Sequence, residues 1–222
     1  MKKIFIIDSS PRKNMNTAQM IQKFMEGVNS FKAEIDVKHI RLYDLDFHGC
    51  YSCMLCKMKN NKFLHYCGRK DGATDILQEA AYADGLVFAS PIYYGDFNAQ
   101  MKAFFERLTY PWLNYEDYSK NHNPKPNRPS AIIYTMNAGQ AYQENMEEMY
   151  QRNESLFMHI GLAKPERIKA ICTKQVADYS KFNFTEEHAA LHNNWHNEHF
   201  ADELHAAFEA GKRMANKVAT ME

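Results

Sequence analysis

Four of the five cysteines in this 222-residue chain stand at Cys50, Cys53, Cys56 and Cys67, a C-x2-C-x2-C triplet with a fourth thiol after a gap of ten residues. Short loops of this kind bring sulfurs around one centre, which suits a [4Fe-4S] cluster or a zinc ion. Free or redox-active thiols fit the same spacing, and the residues alone leave the three readings open. Cys172 lies in an apolar run and reads as a small buried hydrophobe.

A second concentration of chemistry is the run Asp8-Ser9-Ser10-Pro11-Arg12-Lys13-Asn14-Met15-Asn16-Thr17. It gathers hydroxyls, amides and two cations immediately before a helical pattern. Backbone N–H groups at a helix start, hydroxyl donors and a bidentate arginine are what a phosphate monoester requires. A polar turn with Asn16 as helix cap is the plainer alternative. Neither a G-x-G-x-x-G fingerprint nor a Walker phosphate loop occurs, so a mononucleotide fits better than a dinucleotide.

Further along, Ser90-Pro91-Ile92-Tyr93-Tyr94-Gly95 joins two flat amphipathic rings to a stiffening proline and a permissive glycine, either a seat for a planar ligand or a strand end packed in the core. Thr135, Asn137, Ala138 and Gly139 close another apolar run in small and polar residues. His188, His192, His196 and His199 recur at helical spacing, but the interleaved Glu187, Asn193, Asn194 and Glu198 favour a solvated or subunit-facing side over a metal site. Lys102 reads as a surface or subunit-contact residue. No Ser-His-Asp order or carboxylate pair is visible, and no catalytic general base is nominated.

The elements that must position these residues alternate. Strands are expected at Met1 to Ile7, Glu34 to Leu42, Gly85 to Ser90, Ser130 to Met136 and Ile168 to Thr173. Helices are expected from Asn16 to Val28, near Asp75 to Tyr82, at Asn98 to Leu108, at Tyr142 to Ile160 with Gly161 as the stop, and over Glu186 to Ala219. Five strands alternating with helices predict an α/β, three-layer sandwich with a five-stranded parallel sheet. Ligands in such sheets sit beyond the carboxyl ends of the strands. The loops after strands one, three and four should therefore form the site, with the cysteines in the loop after strand two. One domain is expected over 1–222, with a cysteine-rich loop near 48–70 and a proline-rich surface loop near 110–129.

Composition narrows the function classes. With 45% hydrophobic and 24% charged residues, the chain is an ordinary globular one, not a disordered or low-complexity one. Lys plus Arg and Asp plus Glu both number 27, so no long-range field recruits nucleic acid or an anionic membrane. No apolar stretch approaches the roughly 20 residues of a bilayer span, and the opening residues lack a signal-peptide core. An odd, uneven set of cysteines argues for a reducing, cytoplasmic setting.

Ser10-Pro11-Arg12, Asn16-Thr17, Ser90 to Gly95 and Gln100-Met101-Lys102-Ala103-Phe104, in this order, resemble the NADPH-dependent FMN reductases and iron-sulfur flavoproteins of the flavodoxin-like fold. The likeness covers most of the chain. It implies FMN, with Ser10, Arg12, Asn16 and Thr17 on the phosphate and Pro91, Ile92, Tyr93, Tyr94 and Gly95 along the isoalloxazine. Thr135, Asn137, Ala138 and Gly139 match a second flavin-contacting loop. The implied activity is that of an FMN-dependent oxidoreductase passing electrons from NAD(P)H or a ferredoxin-type protein donor to a small-molecule acceptor, in a homodimer or tetramer. Iron-sulfur members carry a compact four-cysteine motif at the same place, although the gap to Cys67 is longer here and some relatives keep several cysteines and bind only FMN. Ser9 and Met15 stand where such proteins usually have Gly, which predicts a phosphate loop with less backbone freedom. Two alternatives are a non-enzymatic electron-transfer iron-sulfur flavoprotein and a flavin-free structural or metal-binding module.

Overall fold

The computed structural model describes residues 1–60 and 62–221. Its first strand, β1 (Lys2–Asp8), buries Ile4, Phe5, Ile6 and Ile7 completely, because it is covered on both faces. Helix α1 (Asn16–Asn29) follows, then β2 (Ile35–Arg41), the cysteine-bearing segment, α2 (Thr74–Ala81) and β3 (Gly85–Tyr93). A two-residue strand β4 (Asp96–Phe97), α3 (Ala99–Thr109), β5 (Ser130–Thr135), α4 (Gln143–His159), β6 (Glu166–Ala170) and α5 (Glu186–Ala219) complete the order.

The parallel strands lie in the order β2-β1-β3-β5-β6, as a flavodoxin-like sheet requires. The sheet has six strands, not five. The extra one, β4, runs antiparallel to the end of β3, with Tyr93 opposite Asp96. The turn between them is made by Tyr94 and Gly95, both at positive φ (52° and 77°), the requirement of a two-residue hairpin whose twist matches its strands. Pro91, Ile92 and Tyr93 thus belong to a strand, and Pro91 still pairs with Thr135.

Alternate residues of each strand feed two cores. Phe5, Ile7, Phe88 and Tyr134 pack with α2, α3 and α4, while Ile4, Ile6, Val87 and Ile133 pack with α1 and α5. The second layer is unusually close. A Cβ on Gly27 of α1 would sit 1.9 Å from the Phe208 carbonyl oxygen, and one on Gly211 of α5 would sit 2.1 Å from that of Phe24. Only hydrogen fits at either place.

The fifth parallel strand ends earlier than its apolar pattern suggests, at Ala170. Cys172 is buried but has φ +47°, so the chain has already left the extended conformation there. The proline-rich segment is not purely superficial. Trp112 is fully buried, and the buried Arg128 lies over its ring and donates to the carbonyls of Ala80, Ala81 and Ala83 at 3.1, 2.9 and 2.7 Å, closing the end of α2. Among the described residues no helix is long and apolar enough to cross a membrane.

Candidate functional site

An open cleft lies at the carboxyl ends of β1, β3 and β5, where ligands of such sheets sit. Ser10, Arg12, Asn16 and Thr17 form one wall, Pro91, Ile92 and Tyr93 another, and Thr135 and Asn137 a third. The three loops named from sequence therefore meet. Tyr94 and Gly95 are not in this lining: they form the hairpin tip, where Tyr94 is fully exposed. Ala138 and Gly139 also fall outside it, the Ala138 carbonyl accepting from the Cys172 N–H at 3.0 Å.

The wall formed by the first loop is tied to its surroundings by hydrogen bonds from below. Asp8 is completely buried at the end of β1 and accepts from the Ser10 N–H at 2.7 Å, from His39 Nε2 at 3.1 Å and from Arg41 Nη1 at 3.3 Å. Asn98, the N-cap of α3, donates from Nδ2 to the Ser9 carbonyl at 2.6 Å and so ties the first loop to the third. Thr17 Oγ1 and Thr135 Oγ1 lie 2.7 Å apart, joining the first loop to the fourth beneath the cleft. Ser9 and Met15 have no positive φ, so the absence of glycine at these positions carries no backbone strain.

Asn16 does not cap α1. Met15 occupies the cap position without any side-chain hydrogen bond, which leaves the first amides of the helix to water or to an anion. The Asn16 side chain donates instead to the Lys174 carbonyl at 2.8 Å, and Arg12 donates to the Gln175 carbonyl. A fourth wall, Thr173 to Gln175, was not foreseen from sequence. Its signal was the general one that the loop after the last parallel strand also reaches this end of the sheet.

Two members of the histidine stripe, His188 and His192, support that wall, while His199 lies at the surface beside the exposed Glu198. His192 is buried. Its Nδ1 donates to the His188 carbonyl at 2.8 Å, so Nε2 is free to accept from Asn137 Nδ2 at 2.6 Å. His188 stacks on it, with centroids 4.0 Å apart, and reaches Gln175 Oε1 at 3.3 Å. Burial, with His192 alongside, holds the His188 imidazole below its usual range and favours its neutral form. Lys102 is an exposed partner of Asp96, as its surface reading expected.

All four clustered cysteines line one further cavity, near the other end of α3. Ser52 and Met54 adopt left-handed backbone, φ 53° and 61°, which folds the triplet tightly. Cys50 and Cys53 are exposed, Cys67 is half-buried and Cys56 is buried; none is in a disulfide. Burial pushes the Cys56 thiol up, against the opposing pull of Lys57. Among the described residues no three His, Cys, Asp or Glu side chains are grouped so as to hold a metal ion. Two buried guanidinium nitrogens in the same wall, Arg69 Nε and Arg107 Nε, have no hydrogen-bond partner, and both favour an anionic occupant.

The parallel sheet, its two helical layers and a cleft at the strand ends define a flavodoxin-like fold. A family model described as NADPH-dependent FMN reductase matches residues 2–161, and the chain belongs to that family. An iron-sulfur flavoprotein of Methanocaldococcus jannaschii is 31% identical over 106 residues, covering 47% of this chain and 51% of that protein. The match thus spans about half the length of that relative. Among solved structures, an azoreductase from Bacillus anthracis superposes with a TM-score of 0.69 at 13% identity, over 96% of this chain and 100% of that one. An FMN-dependent NADH-azoreductase from the same organism, solved with FMN, gives a TM-score of 0.66 at 14% identity, over 97% and 100%. Likenesses at such identity establish the fold.

Proposed function

We propose that this protein is an FMN-dependent oxidoreductase that draws electrons from NAD(P)H or a protein donor and passes them to a small acceptor. The observation that carries the reading is the meeting of the uncapped α1 N-terminus, Ser10, Arg12 and Thr17 with Pro91 to Tyr93 and Asn137 around one cleft. The first group suits a phosphate dianion, and the second suits a planar ring edge with hydrogen-bonding capacity. FMN supplies hydride acceptance and electron transfer when bound. The protein's part is to bind and orient: α1 and Arg12 anchor the phosphate, the β3 end limits where the ring can lie, and Asn137, held by His192, presents its polar groups along one side. The partly exposed Tyr93 leaves a face open to donor and acceptor.

Four cysteines around one cavity favour a second component, a [4Fe-4S] cluster held by Cys50, Cys53, Cys56 and Cys67, which would make the protein an iron-sulfur flavoprotein. The reading includes a cytoplasmic setting, where exposed thiols stay reduced, and a homodimer or tetramer. Anaerobic purification followed by heat release of flavin, iron and sulfide analysis and NAD(P)H turnover tests both parts. One FMN per chain with turnover is the expected result. Absence of flavin uptake after reconstitution refutes the oxidoreductase reading, and FMN with turnover but no iron after reconstitution refutes only the cluster.

A further inference from the structure

Arg107 lies on the inner side of α3 and is 1% exposed. A guanidinium so placed must find hydrogen-bond partners or pay a large desolvation cost. It finds them at both edges of the cysteine segment. Nη1 donates to the His48 carbonyl at 3.1 Å and pairs with Asp71, while Nη2 donates to the Arg69 carbonyl at 3.2 Å. His48 stands two residues before Cys50 and Arg69 two after Cys67, so one side chain grips the stretch that carries all four thiols. The preceding residue, Glu106, accepts from the Cys50 N–H at 3.2 Å.

The same side chain contributes charge. Arg107 and Arg69 line the cavity with the cysteines, and the Nε of each is buried without a partner. Arg69 is stacked 3.6 Å from the Tyr51 ring centroid, while Lys57 turns away to the Pro111 and Leu113 carbonyls at 3.0 and 2.5 Å. The facing acids are Asp71, already paired with Arg107, and Glu106, which is exposed to solvent and therefore screened.

We propose that Arg107 is a positioning residue of the cysteine centre, clamping both ends of its segment and raising the reduction potential of the cluster bound there. The inference rests on the reading of the four cysteines as cluster ligands. Uptake of one electron forms and breaks no bond and makes the four-thiolate centre more negative by one charge, a state that a buried cation in the wall favours.

The test uses full-length wild type, Arg107→Met, Arg107→Lys and Asp71→Asn, each reconstituted anaerobically with iron and sulfide. Iron, sulfide and FMN are counted, and the cluster is titrated with a low-potential reductant and mediators while its paramagnetic signal is followed. Arg107→Met should shift the one-electron equilibrium at least tenfold towards the oxidised form, 59 mV lower. Arg107→Lys should recover part of this, and Asp71→Asn should shift the equilibrium the other way. Loss of iron from Arg107→Met with FMN retained supports the clamp, and the potential of Asp71→Asn then tests the charge. Unchanged potentials and iron content in all three variants overturn the role of Arg107 and leave the cluster standing. A wild type that takes up neither iron nor sulfide overturns the cluster reading and this proposal together.

Discussion

Replacing Arg12 by alanine separates anchoring of the phosphate from stability of the scaffold. Arg12 is exposed at the cleft wall, and the only hydrogen bond it makes through its guanidinium among the described residues runs to the Gln175 carbonyl. Its loss should change stability by no more than about 0.5 kcal/mol, as for other surface positions. A charge-assisted contact to a phosphate is worth about 1.5–3 kcal/mol, which is roughly a 10- to 150-fold rise in the FMN dissociation constant. Ser10, Thr17 and the open amides of α1 remain, so binding should weaken and not vanish. Flavin fluorescence quenching on titrating apoprotein measures the constant, and thermal unfolding of the same apoprotein measures the scaffold. An unchanged constant would show that the loop backbone alone carries the phosphate; a weakened constant with a much lowered Tm would show that Arg12 acts by holding Gln175.

Thr17→Val should strand the buried Thr135 hydroxyl and cost the apoprotein about 1–3 kcal/mol, whereas adding Thr135→Val should restore most of it. Thermal melts, at roughly 2–4 °C per kcal/mol for a chain of this size, decide it, and equal single and double variants would refute the pairing. Glu203 has one buried oxygen without a partner, and burial raises its pKa despite the bond it accepts from the Ile171 N–H at 3.0 Å. With its folded value above its unfolded one, the stabilisation Glu203 confers is present below the unfolded value and lost as pH rises through the folded value. Glu203→Gln should therefore be more stable than wild type at neutral pH and lose that advantage in acid, as paired urea titrations at the two pH values would reveal.

The scaffold was legible wherever burial on both faces wrote itself into an unbroken apolar run, as at Ile4 to Ile7, or where a long polar-apolar rhythm ran to its natural end, as over Glu186 to Ala219. It was less so where one dihedral decides. Nothing in the residue types around Cys172 announces a φ of +47°, and Pro91 suggested a loop although the strand continues through it. Loop residues with chemistry at fixed ends of strands were found. Asn98 and Arg107 were not, because each is a solitary polar residue whose partners lie 89 and 59 residues away in sequence. The histidines gave their period but not their partner, since the contact of His192 with Asn137 depends on where α5 meets the sheet end.

The glycine contact between α1 and α5 works as a fulcrum. One side of the cleft, Asn16 and Thr17, rides on the first turn of α1, and the opposite side, Asn137 and Gln175, is braced by His192 and His188 near the start of α5. From Phe208, at the crossing, back to His188 is roughly 30 Å of helix at 1.5 Å per residue. Over an arm of that length each degree of rotation swings the brace by about 0.5 Å, so a tilt of a few degrees would separate Asn137 from His192. A methyl group added at Gly27 or Gly211, far from any ligand, should thus register as a change in cleft width, and the aperture of the site is gauged at a joint near the opposite edge of the molecule.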